Sequence, residues 1–279
     1  MSDENAFSLP KHKIALLIDG DNAQPSLLPQ ILMEAARYGQ VTIRRIYGDW
    51  TTANMSSWKE MLNYYAFQPI QQFRYTVGKN ATDSAMIIDA MDILHAGVVD
   101  GFCLVSSDSD YTRLATRIRE SGIFVMGIGQ KKTPKAFVNA CDVFVYTENL
   151  EKSESQGETK PRRERKQKKG GEPSAIASES TESRQSSESP ESSEQVENPE
   201  NDPLPLLRKA YEMAAREDGW ARLDAMGSAL YQLDPGFDPR TYGHRQLSRL
   251  VGSLKEVFEM RTHEIDGSTL FYVRLRENL

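Results

Sequence analysis

The 279-residue chain predicts an α/β fold, a three-layer domain around a parallel sheet, followed by a disordered linker and a small winged helix-turn-helix domain. Three observations carry this. Short, wholly apolar runs alternate with amphipathic stretches over residues 11–150, as in a parallel sheet covered on both faces. Residues 151–202 are rich in Ser, Glu, Gln and Pro and nearly lack large apolar side chains, so they cannot offset the entropy of ordering. Apolar periodicity resumes over residues 203–277 and closes on Asp266-Gly267 between two strand-like runs, a strong hairpin signal.

The elements follow in order. Residues 1–10 read as a loose leader. Strands are expected over 14–18, 41–47, 101–105, 124–128 and 143–146, with a short one near 71–75. Helices are expected over 26–38, 55–65, 82–95, 111–121 and 134–140. In the C-terminal part, helices are expected over 204–216, 223–233 and 242–257, and hairpin strands over 258–264 and 269–275. Within the linker, residues 160–169 form a basic run that reads either as an electrostatic tether to nucleic acid or as a solvated charge run.

Composition narrows the class. The net charge of −6 argues weakly against a nucleic-acid binder, although local charge matters more than the total. Cys103 and Cys141 both lie in apolar runs, which predicts buried free thiols rather than a disulfide framework or zinc site. No signal-peptide pattern or membrane-spanning run is evident, so a soluble, cytoplasmic protein without membrane partners is expected.

The chemistry concentrates in acids at strand ends. Asp19-Gly20-Asp21-Asn22 follows the first apolar run, and Gly20 suits a tight turn there. Ser106-Ser107-Asp108-Ser109-Asp110 follows the 101–105 run and leads into a helix; on the plainest reading Ser109 or Asp110 is only an N-cap, but one cap needs one acceptor and this loop carries two carboxylates and three hydroxyls. Ser106 and Ser107 are candidate phosphate holders beside that helix start. Asp83 opens the helix between these segments, where the helix dipole favours its charge whether it serves a site or Thr82 or Asp83 merely caps the helix, and Lys79 is a candidate phosphate contact. Asp89 and Asp92 are expected to be solvated or capping. Carboxylates delivered to one sheet edge repel unless a cation neutralises them, and all-oxygen ligands suit Mg²⁺ or Mn²⁺. Lys131, Lys132 and Lys135 follow the 124–128 strand and are candidate contacts to a nucleic-acid backbone. Walker A and G-x-G-x-x-G patterns are absent, and the four histidines are scattered.

With these motifs in place, residues 13–150 resemble the NYN domain of the PIN-like nuclease superfamily, in its LabA-like branch. The residues carrying the likeness are Ile18-Asp19-Gly20-Asp21-Asn22, Ala81-Thr82-Asp83-Ser84-Ala85, Val105-Ser106-Ser107-Asp108-Ser109-Asp110-Tyr111 and Lys132-Thr133-Pro134-Lys135. The resemblance implies a PIN-like Rossmannoid fold and metal-dependent cleavage of RNA. It implies catalytic and metal-binding roles for Asp19, Asp83, Asp108 and Asp110, with Asp21 and Asn22 as supporting ligands. The implied reaction is metal-assisted phosphodiester hydrolysis.

Residues 204–276 resemble the OST-HTH (LOTUS) domain, through Asp218-Gly219-Trp220-Ala221-Arg222-Leu223, Phe237-Asp238-Pro239-Arg240-Thr241-Tyr242-Gly243 and Phe271-Tyr272-Val273-Arg274-Leu275. That likeness implies RNA, and in some members a protein, as partner. Arg240, His244, Arg245 and Arg249 cluster on or before the expected third helix, with Tyr242 for stacking; Trp220 is expected in the core. The rival readings are a non-catalytic RNA-binding adaptor and a nucleotide phosphohydrolase on the same sheet.

Overall fold

A computed structural model describes residues 12–73, 81–155, 202–265 and 268–276. The leader, Lys79, the basic run at 160–169 and the Asp266-Gly267 turn lie outside the described residues.

Six parallel strands form the N-terminal sheet: β1 (Lys13–Asp19), β2 (Gln40–Gly48), β3 (Gln68–Gln71), β4 (Gly101–Val105), β5 (Phe124–Gly129) and β6 (Val143–Tyr146). Their order is β3-β2-β1-β4-β5-β6, so the winding reverses between β1 and β4. In such sheets the crevice outside the carboxyl ends, at this switch point, is where ligands bind.

Strand alternation supplies two cores. Ile14, Leu16 and Ile18 face α1 (Leu28–Ala36) and Trp58, which leads into α2 (Lys59–Tyr65). Ala15 and Leu17 face the other side, against α3 (Ala81–Ala96), α4 (Thr112–Glu120) and α5 (Lys135–Ala140). A strand buried on both faces has no polar position to offer, which is why β1 and β4 read as unbroken apolar runs.

Two expectations shift. The short strand near 71–75 forms earlier, as β3, paired to β2 from Arg45 to Gly48. The expected linker start at residue 151 falls inside α6 (Thr147–Ser155), which Leu150 anchors in the first core.

The C-terminal part contains α7 (Leu204–Ala214), β7 (Ala221–Arg222), α8 (Leu223–Leu233), α9 (Leu247–Ser253), β8 (Phe258–Ile265) and β9 (Ser268–Leu275). The three strands form an antiparallel sheet in the order β7-β9-β8. The third helix is shorter than expected. Asp238 caps a 3₁₀ turn over Pro239–Tyr242, Gly243 leaves it at φ +81°, and α9 restarts only at Leu247. A residue at positive φ cannot continue a right-handed helix.

This winged-helix part is docked on the N-terminal sheet. The Phe144 amide on edge strand β6 donates to the Pro235 carbonyl at 2.7 Å. Arg240 donates to both Glu34 oxygens, at 3.1 and 3.3 Å, and lies 2.7 Å from Asp238. Asn149 Nδ2 donates to Thr241 Oγ1 at 3.0 Å. Burial alone would weaken the Arg240 charge, but Asp238 and Glu34 outweigh it and hold the guanidinium firmly protonated.

Candidate metal centre

β1 and β4 run side by side with Ile18 level with Val105, so Asp19 and Ser106 leave the sheet together. Asp19 is fully buried. Its Oδ1 accepts from the Asp21 amide at 3.1 Å; its Oδ2 accepts from Asn22 Nδ2 at 2.6 Å and from Ser106 Oγ at 3.0 Å. Gly20 makes this turn feasible through close approach rather than through positive φ: a Cβ there would lie 2.8 Å from the Tyr47 carbonyl.

Ser106 Oγ also accepts the Asp108 amide at 3.1 Å, and Ser107 Oγ accepts the Gln130 amide at 2.9 Å. Ser106 is buried, so the expectation that it holds phosphate is replaced by a tie between the two acid loops. The cap of the following 3₁₀ turn is Asp108, not Ser109 or Asp110: its carboxylate accepts the Asp110 amide at 3.0 Å. This turns the loop so that Asp108 and Asp110 reach the same region.

Asp83 arrives from the first turn of α3 and is buried. Carboxylate oxygens of Asp83, Asp108 and Asp110 lie within 4.8 Å of one another. Burial first, then the charges of Asp108, Asp110 and Asp21, push the Asp83 carboxyl above its usual range, against the lowering effect of Tyr111. Burial likewise raises Asp19, opposed by Asn22 and Ser106, with Asp83 and Asp21 adding to the rise. A set of hard oxygen donors that repel one another suits a divalent cation of the Mg²⁺ or Mn²⁺ type. Asp19 and Asp21 are not among these three carboxylates, and the Asn22 amide donates to Asp19.

Sequence reasoning missed Tyr111 as a partner of Asp83. It is fully buried and donates to Asp83 Oδ1 at 2.7 Å. Burial, then Asp19 and Asp83, push its hydroxyl far up, so it stays protonated and acts as a donor. Asp89 was also misread: it is half-buried and accepts from Arg45 and from the Tyr47 hydroxyl, which fastens α3 to β2. The signal for both is an aromatic hydroxyl at an otherwise apolar sheet or helix position.

Lys131, Lys132 and Lys135 are exposed after β5, on the same sheet edge as the acids. In the winged helix, Arg240 belongs to the inter-domain ion pairs and Tyr242 packs on Phe237, with ring centroids 5.8 Å apart. Those two residues are therefore corrected from RNA contacts to structural ones. His244 contacts Ser253 at 3.4 Å, while Arg245 and Arg249 are exposed.

A parallel α/β domain with a cluster of carboxylates at the carboxyl ends of its strands, joined to a winged helix, defines the class. The NYN domain family matches residues 13–151 and the OST-HTH/LOTUS domain family matches residues 194–268, so the chain carries an NYN domain followed by an OST-HTH/LOTUS domain. NYN domains fall in the PIN-like nuclease superfamily, and the OST-HTH/LOTUS domain is associated with RNA. Among solved structures, a protein of unknown function from Vibrio parahaemolyticus is similar at 22% identity, covering 52% of this chain and 95% of that one, with a TM-score of 0.42. An uncharacterized protein from Nitrosomonas europaea is similar at 32% identity, covering 34% of this chain and 94% of that one, with a TM-score of 0.26. No curated protein matches the chain. Among the described residues, no helix is long and apolar enough to cross a membrane.

Proposed function

We propose that the chain is a metal-dependent ribonuclease that hydrolyses RNA phosphodiesters, with its OST-HTH/LOTUS domain contributing to RNA capture. The observation that carries this reading is the meeting of Asp83, Asp108 and Asp110 at the carboxyl edge of an NYN sheet. Those three carboxylates would hold Mg²⁺ or Mn²⁺, which when bound supplies Lewis-acid polarisation of a phosphoryl oxygen.

The chain's own residues do the rest. Tyr111 holds one Asp83 oxygen in place, and Ser106 couples the Asp19 turn to the Asp108 loop. Asp19 and Asn22 brace the first strand end, and Asp21 adds negative charge beside Asp83. Lys131, Lys132 and Lys135, exposed after β5, would meet the backbone phosphates of the bound RNA.

The test is cleavage of end-labelled RNA with Mn²⁺, with Mg²⁺ and with EDTA, comparing the parent with Asp108→Asn. Metal-dependent cutting that the variant lacks is the expected result. RNA retarded on a gel but cut by neither protein would sink the nuclease reading.

A further inference from the structure

The open face of the C-terminal sheet carries an ordered aromatic and basic surface that the proposed nuclease chemistry does not use. Side chains two residues apart on a strand share a face, so the register defines its rows. Glu259 of β8 is level with Arg274 of β9. The next row joins Arg222 of β7, Tyr272 of β9 and Arg261 of β8. His263 follows Arg261 by two residues and meets the Tyr272 ring edge-on, with centroids 5.4 Å apart.

Trp220, immediately before β7, completes this surface. It was expected in the core but is only half-buried and stands outside the C-terminal core cluster. The Arg261 guanidinium carbon sits 4.4 Å from the indole centroid, and that of Arg274 sits 4.9 Å away. Glu259 accepts from both arginines, at 3.2 and 2.7 Å, which restrains them beside the ring. Three arginines against one glutamate leave the face positive, even though Arg222 also pairs with Asp224 on α8. On the expected helical surface, by contrast, Arg240 and Tyr242 are taken up by Glu34 and Phe237.

We infer that the sheet face of the winged-helix domain, centred on Trp220, Tyr272, Arg261 and Arg274, is a binding site for single-stranded RNA. Aromatic rings and guanidinium planes stack on unpaired bases, and restrained arginines meet phosphates at reduced ordering cost. A duplex hides its base faces and cannot use such a platform. The choice of RNA as ligand rests on the ribonuclease reading; the location of the site rests on the sheet geometry.

The test uses the full chain in EDTA, so that binding is read without cutting. Fluorescence anisotropy follows a labelled uridine-rich single strand and a duplex of equal length. The parent is expected to prefer the single strand. Arg261→Gln with Arg274→Gln should weaken single-strand binding about tenfold or more and flatten its salt dependence. Trp220→Leu should weaken binding with less change in salt slope, and circular dichroism checks that each variant is folded. Undiminished binding by the folded arginine double variant overturns the inference, as does equal or better binding of the duplex by the parent. Cleavage assayed separately with Mn²⁺ reports on the nuclease reading alone, so the two can fail independently.

Discussion

The Tyr111 hydroxyl donates to the Asp83 carboxylate at 2.7 Å, from a fully buried ring to the one buried acid of the three-carboxylate cluster. The bond favours the charged form of an acid that burial pushes toward neutrality. Tyr111→Phe should therefore raise the Asp83 pKa further and weaken Mn²⁺ binding several-fold, read by calorimetric titration. Loss of one buried hydrogen bond costs about 1 kcal/mol of stability, so the variant should remain folded. An unchanged Mn²⁺ affinity would show that the bond does not prepare the site.

Asp83→Asn should stabilise the metal-free protein. A carboxyl whose folded pKa lies above its unfolded value binds its proton more tightly when folded, so the parent loses stability as pH rises from the unfolded value through the folded one. The variant lacks that loss. In EDTA its melting temperature should exceed the parent's by roughly 2–4 °C per kcal/mol near neutral pH, with the gap closing in acid. Mn²⁺ should then raise the parent's melting temperature and not the variant's. A variant that melts earlier at neutral pH would contradict the account.

Asp89→Ala should destabilise the N-terminal domain by about 2–3 kcal/mol, because it leaves Arg45 and the buried Tyr47 hydroxyl without their acceptor. Asp89 sits on the same helix as Asp83, so amide exchange should quicken along α3 before it quickens in β1. Uniform protection in parent and variant would remove Asp89 from this role.

Arg240→Leu should loosen the docked domain. Glu34 is buried and among the described residues would keep only Arg37 as an ion-pair partner, which donates to it at 2.8 Å from an exposed position. A loss of about 2 kcal/mol follows, below the cost of breaking a wholly buried pair because Arg240 retains some exposure. Small-angle scattering should report a larger radius of gyration. An unchanged radius would mean that the Phe144–Pro235 and Asn149–Thr241 bonds suffice.

The N-terminal strands were legible because burial on both faces leaves an unbroken apolar run, and the three acid-bearing segments because each follows a strand or opens a helix. The bracing inside the site was not. That Ser106 would turn inward, or that Asp108 would cap its own turn, depends on β1 and β4 being neighbours at the switch point, a long-range fact that local pattern does not encode. Trp220 misled for a related reason: its exposure follows from β7 pairing with β9, and a two-residue strand has no periodicity to read. Arg240 sits in a basic stretch that resembles an RNA contact, and only the approach of α1 from the other domain shows where its charge goes.

The bond from the Phe144 amide to the Pro235 carbonyl has a bearing on the protein's solubility. β6 is the last strand of its sheet, and an uncovered strand of that kind recruits strands from other molecules. Here the guest is a loop of the same polypeptide, ending in the Pro235-Gly236 corner that packs against Tyr146 and Val138. The C-terminal domain is thus a stopper as well as an appendage, and shearing it off by proteolysis would leave an NYN domain prone to stick to its own kind.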